Sequence, residues 1–121
     1  IINIASRWAM TGADNSSHYI AAKGALIGVT KAWAHEFAPW NINVNAVAPG
    51  FIETRLTQAK TDGDTYGIPE QMRQMSLMLI ALGRLGVPED IANVHAFLVS
   101  SDADFISGVT IPVTGGQLGG M

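Results

Sequence analysis

Three short runs rich in β-branched residues, Ile1–Ala5, Ile42–Val47 and Val109–Val113, stand far apart in the chain. Residues 6–41 and 48–108 separate them, too long for hairpins and of the length that returns a chain parallel to its previous strand. The intervening stretches carry helical signals. Thr11 to Asp14 reads as a loop, Asn15, Ser16 and Ser17 offer N-caps, and a helix is expected from His18 to Ala38, stopped by Pro39. Short helical patches are expected over Glu53–Lys60 and Pro69–Leu79, with a loop at Thr61–Gly67. Pro88-Glu89-Asp90 opens a further helix to about Ser100, with proline and acids in its first turn. The order is strand, helix, strand, helices, strand: an α/β chain built on a parallel sheet.

The first long helix is apolar on two sides. Tyr19, Ala22, Leu26, Trp33 and Phe37 fall on one stripe, and Ala21, Ala25, Gly28 and Ala32 form a ridge of small residues roughly opposite. Small side chains let a second backbone approach, either from another subunit or from a segment of the same protein. Charged residues make up only 14% of the 121 residues against 48% apolar ones, which excludes disorder and leaves little polar surface to cover a free-standing domain. Ile1, rather than Met, opens the chain in the middle of a strand pattern, so these residues are expected to be part of a larger domain.

Seven basic against ten acidic residues give a net charge of −3 with no Lys/Arg cluster, arguing against nucleic-acid and anionic-membrane partners. There is no cysteine for a disulfide or thiolate site. His18, His35 and His95 have no metal-ligand spacing, so no metal is expected. No apolar stretch approaches the ~18 residues that span a bilayer, and no signal-peptide pattern opens the chain. The expectation is a soluble, cytoplasmic protein.

Ligands of open parallel sheets bind beyond the carboxyl ends of the strands. Ser6 closes the first run, Pro49-Gly50 the second, and the start of the long helix brings Tyr19 towards the same edge. Lys23, four residues on, is a neighbour of Tyr19 on one helix face. A phenol with its ordinary pKa of about 10 is a poor base at neutral pH, and an ammonium beside it favours the phenolate. That pairing suits general acid–base work on an alcohol or carbonyl oxygen, to which a strand-end serine could also hydrogen-bond. The same spacing also fits a core tyrosine beside a snorkelling lysine.

Ile2-Asn3-Ile4-Ala5-Ser6 followed by Tyr19-Ile20-Ala21-Ala22-Lys23-Gly24-Ala25-Leu26, with Ser6 thirteen residues before Tyr19, resembles the catalytic stretch of the short-chain dehydrogenases/reductases. Asn43 to Thr54 resembles that family's nicotinamide-contacting segment. Gly83 to Ala92, Phe97 to Ser101 and Ile106-Ser107-Gly108 continue in order. The resemblance implies the C-terminal half (residues 1–121) of a Rossmann-like doubly wound parallel sheet. It also implies an NAD(P)-dependent oxidoreductase interconverting an alcohol and a ketone. Tyr19 would be the acid/base, Ser6 would orient the substrate oxygen, and Lys23 would favour the phenolate and hold the nicotinamide ribose. Pro49, Gly50, Ile52 and Thr54 would line the NAD or NADP site. A homo-oligomer, formed through the 18–38 helix and the C-terminal part, is the implied assembly.

The glycine-rich cofactor turn of that family is absent from these residues. Gly115, Gly116, Gly119 and Gly120 follow a strand but open no helix, so they read as a flexible tail. The expected alternative is therefore a truncated chain that folds or associates but is inactive by itself; an unrelated α/β binding module is a third reading. Thr114 stands where the family usually has Asp, and reads as a local change away from the chemistry. Trp8, Met10, Asn15 and His18 flank the catalytic residues, and the Leu56–Leu82 region is expected as a lid. Its Met72, Met75, Leu77, Met78, Leu79 and Ile80 serve either core packing or an apolar substrate.

Overall fold

A computed structural model of the chain describes residues 1–117; Gly119 and Gly120 lie outside them. Its centre is β2 (Asn45–Pro49), paired in parallel on one side with β1 (Ile2–Ile4) and on the other with β3 (Thr110–Val113). The register sets Ile2 opposite Asn45 and Ala46 opposite Thr110. Strand side chains alternate between sheet faces, and β2 uses this to serve two cores. Ala46 and Ala48 join Ala5 beneath Ile27 of the long helix α2 (Ser17–Glu36). Val47 packs on the opposite face with Leu98 and Ala103, backed by Ile91 and Val94 of α4 (Pro88–Leu98). Helices thus cover both faces, the doubly wound arrangement expected.

The alanines are what let α2 approach the sheet. Lys23, Ile27, Thr30 and Ala34 follow one another at helical spacing on the side nearest the strands, and Thr30 is buried. Thr30 Oγ1 accepts from Asn3 Nδ2 (2.9 Å) and donates to Leu26 O (2.6 Å), so its polar atom is satisfied. The large apolar stripe through Tyr19, Leu26, Trp33 and Phe37 lies roughly a quarter turn away from this seam. The ridge of Ala21, Ala25, Gly28 and Ala32 is exposed along its length.

Several boundaries differ from expectation. The Glu53–Lys60 patch is not a helix. Thr57 Oγ1 donates to Ile52 O while accepting from Thr54 N (2.9 Å), closing a local turn that competes with helical bonding. Trp8–Thr11 forms a one-turn helix, α1, between the first strand and the expected loop, and Gly12 ends it with φ +80°. Ser16 sits at the N-cap of α2 but spends its hydroxyl on Asp14 O (3.1 Å) rather than on the helix. The second strand begins at Asn45 instead of Ile42, because the chain leaves a 3-10 turn through Asn41 in the left-handed region (φ 57°). α3 (Glu70–Leu79) falls where expected, and α4 ends at Leu98 rather than Ser100. No helix among the described residues is long and apolar enough to cross a membrane.

Asn45 does work in the fold that its position in the sequence did not announce. It is buried, its Nδ2 donates to Ile106 O (2.8 Å), and its Oδ1 accepts from Val109 N (3.2 Å). One side chain thereby fixes the turn that feeds β3 into the sheet.

Candidate active site

At the carboxyl end of β1 the backbone ladder outlasts the strand. Ala5 N donates to Val47 O (2.8 Å) and Arg7 N to Pro49 O (3.0 Å), so Ser6 is clamped between two bonds to β2. Ser6 is 8% exposed, and its Oγ accepts from Trp8 N (3.2 Å). A hydroxyl has one hydrogen to donate, and this arrangement leaves it for another acceptor.

α2 starts next to this corner. Lys23 Nζ donates to Ile4 O (2.9 Å), fixing the ammonium one strand residue before Ala5. The same Nζ lies 5.9 Å from the centre of the Tyr19 ring, within cation–π range. On its other side Tyr19 meets Trp8 edge-on, with ring centres 5.9 Å apart. Tyr19 is 38% exposed, unlike a core tyrosine. Ser6 and Tyr19 thus both contact Trp8, Lys23 approaches Tyr19, and Pro49 accepts from the residue after Ser6.

Gly50, Ile52 and Thr54 follow β2. Gly50 N donates to Val113 O (2.9 Å), and a Cβ at this position would stand 2.9 Å from Thr114 Cα. The end of β2 and the start of the post-β3 turn thus touch backbone to backbone. Thr114 lies against Gly50, in the segment expected to meet the cofactor. Ile52 bridges Gly86, with Glu53 N bonded to Gly86 O (2.8 Å) and Gly86 N to Phe51 O (3.0 Å). Thr54 is exposed, its Oγ1 3.3 Å from that of Thr57. These two residues sit on a loop anchored to Gly86 rather than to the Ser6–Tyr19–Lys23 corner.

Behind this loop a cavity of about 130 Å³ is lined by Ile52, Gly86, Thr114 and the Arg84–Asp90 pair. Arg84 grips Asp90 with two nitrogens (2.7 and 2.9 Å), and Asp90 also accepts from Val87 N (2.8 Å) at the start of α4. The guanidinium foremost, then the backbone N–H, holds the Asp90 carboxyl down at about 2. A carboxyl lowered by folding stabilises the fold above the ordinary carboxylate range near 3.9 and loses that contribution as pH falls through about 2. Between pH 4 and 2, roughly, Tm of the chain is expected to fall more steeply than Tm of Asp90→Asn. Parallel acid limbs in a thermal melt series would contradict this.

A larger open groove, about 980 Å³, runs from Arg7, Trp8 and α1 to α3, where Met72, Met75 and Leu79 face it. Of the expected lid residues, these three line the groove, Met78 points to solvent and Ile80 is buried. Arg73 on α3 ties this wall to the loop after β2, bonding Glu53 (2.7 Å) and Glu70 (3.1 Å). The partners Glu53 and Arg73 lie twenty residues apart, a pairing that no local pattern signals.

A family described as Enoyl-(Acyl carrier protein) reductase matches residues 1–117. The 3-oxoacyl-[acyl-carrier-protein] reductase FabG of Thermotoga maritima is 42% identical over 116 residues, covering 96% of this chain and 44% of that protein. The FabG of Pseudomonas aeruginosa is 45% identical over 117 residues, 97% of this chain and 44% of its own. Among solved structures, a 4-hydroxyisoleucine dehydrogenase complexed with NADH and succinate superposes with a TM-score of 0.83 at 35% identity, over 97% of this chain and 45% of that one. A 3-oxoacyl-[acyl-carrier protein] reductase with bound NAD from Brucella melitensis gives 0.82 at 34% identity, over 98% and 40%. The chain spans under half the length of the curated relatives it matches.

Proposed function

From the premise that the chain belongs to the short-chain dehydrogenase/reductase family, we propose that it carries the catalytic, C-terminal half of an NAD(P)-dependent oxidoreductase that interconverts an alcohol and a ketone. The observation that carries this reading is the Lys23 ammonium, bonded to Ile4 O at 2.9 Å and set 5.9 Å from the ring of an exposed Tyr19 beside Ser6. In the reducing direction Tyr19 gives its phenolic proton to the substrate oxygen, and in the oxidising direction it takes that proton back. Ser6, whose Oγ already accepts from Trp8 N, turns its hydrogen to the same oxygen. The Lys23 positive charge stands by the phenol when it is ionised.

A nicotinamide dinucleotide, when bound, supplies or takes the hydride. The donor set suits such a group. Lys23 spends one N–H on Ile4 O and keeps two, while the Tyr19 phenol and the Thr54 hydroxyl are exposed. Tyr19, Lys23, Pro49, Gly50, Ile52 and Thr54 are the residues that would hold it. The chain has no glycine-rich strand-to-helix turn among its 121 residues to hold a pyrophosphate, so by itself it is expected to be inactive. The reading includes self-association through the exposed Ala21–Ala32 ridge and the exposed Phe97, Val99 and Phe105; a monomer by sedimentation at micromolar concentration would remove that part.

The test is to fuse the chain to the segment of the T. maritima reductase that it does not match, and to supply 3-oxoacyl thioesters and simple ketones. NADH or NADPH consumption by the fusion and none by the 121 residues alone is the expected result. A fusion that folds and binds coenzyme but reduces no ketone would overturn the reading.

A further inference from the structure

Just past β3, Gln117 is 3% exposed, and its backbone N–H is bonded to Thr114 O (3.1 Å). Its Oε1 is buried without a hydrogen-bond partner among the described residues, and the residue is part of the lining of the open groove. A buried acceptor left unmade is costly, and native structures rarely keep one without a use. The groove's lining joins apolar residues, Trp8, Met72, Met75 and Leu79, to polar ones that include Thr11, Asp14 and Ser76. Trp8 in turn packs edge-on against Tyr19, so the groove begins beside the proposed acid/base.

We infer that Gln117 is a specificity-determining residue of this groove, accepting a hydrogen bond from an N–H or O–H of a ligand that also carries an apolar part. The class is an amide- or hydroxyl-bearing chain in which the donor lies away from the reacting carbonyl. The methionines adapt to the shape of the apolar part, while the Gln117 acceptor fixes its register. Sites that hydrogen-bond a ligand discriminate against analogues lacking that group, because the protein atom is then left unpaired again. The assignment of the groove to substrate rests on the reading under Proposed function; the recognition chemistry at Gln117 does not.

The test uses the 121-residue chain and two matched probes, N-butylacetamide and its N-methylated analogue, which keeps the carbonyl but has no N–H. Binding is followed by NMR on the backbone 15N–1H resonances of the groove residues, which every variant keeps, and in the natural chain also on the side-chain amide of Gln117. The N–H probe is expected to bind about fivefold to tenfold more tightly and to shift that resonance. 1-Hexanol against hexyl methyl ether repeats the comparison for a hydroxyl donor, and a preference in either pair supports the inference and identifies the donor class. Gln117→Met, similar in length but without the acceptor, is expected to level both pairs while still binding the methylated amide. Where Gln117→Met does not fold, Gln117→Glu keeps an acceptor and is expected to keep the preference. Equal affinities in both pairs for the natural chain overturn the inference, as does an unchanged preference in Gln117→Met or a lost one in Gln117→Glu. Because binding is read without turnover, a preference at Gln117 in a chain whose fusion transfers no hydride supports this inference and overturns only the oxidoreductase reading. An active fusion with no preference does the reverse.

Discussion

Tyr19→Phe in the fusion with the T. maritima segment is expected to lower kcat by about 10²–10⁴-fold, the usual contribution of a positioned general acid or base, with KM little changed. The substitution keeps the ring. The edge-on contact with Trp8 and the cation–π approach of Lys23, both at 5.9 Å, therefore survive, and the fold loses nothing but an exposed hydroxyl. Far-UV circular dichroism and coenzyme affinity serve as controls. The alternative role for Tyr19, a tyrosine that merely fills space beside a lysine, predicts the opposite pattern: near-normal kcat in Tyr19→Phe. Lys23 is less clean as a probe, because removing its ammonium also removes the bond to Ile4 O that ties α2 to β1.

Gly50→Ala is expected to destabilise the chain by about 1–3 kcal/mol, the range for forcing extra atoms into a packed site. For a domain of this size that is several degrees of Tm. The new Cβ would meet Thr114 Cα at 2.9 Å, a backbone atom that cannot rotate away, with Thr114 Cβ next at 3.2 Å. The ladder bond from Gly50 N to Val113 O would lengthen as the strand ends part. Thr114→Gly in the same chain is expected to restore only part of the loss, since the nearest clash is with the main chain. Full recovery in the double variant, read by urea unfolding, would show that the side chain and not the strand spacing sets the requirement. The position also bears on function, because strand ends that part would displace the loop carrying Ile52 and Thr54.

What the sequence announced and what it concealed divide along physical lines. The long segments between the three β-branched runs demand crossovers rather than hairpins, so the parallel architecture was readable. The ridge on α2 was readable as a repeat of small residues at helical spacing. Local hydroxyl chemistry was not. Thr54 and Thr57 closed a turn where helix propensity suggested a helix, and Ser16 turned to Asp14 instead of capping. Tertiary partners were hidden too: the carbonyl that receives Lys23, the carboxylate that meets Arg73, and the amides that satisfy Asn45 all come from distant segments. The nearness of Thr114 to Gly50 was hidden as well, because it depends on β2–β3 register, which no motif states. Gln117 gave no signal at all, since an orphaned acceptor exists only once the groove is built.

Hydride transfer is the centre of the proposed function, and isotope transfer reads it directly. The fusion is given nicotinamide coenzyme carrying deuterium at the reactive ring carbon, of either face in separate runs, together with a ketone that the assay reduces. Mass spectrometry of the alcohol is expected to show one deuterium on the carbinol carbon from one face and none from the other, and no product from Tyr19→Phe above about a hundredth of the normal rate. Alcohol formed without label from either face, or formed equally well by Tyr19→Phe, would contradict the account.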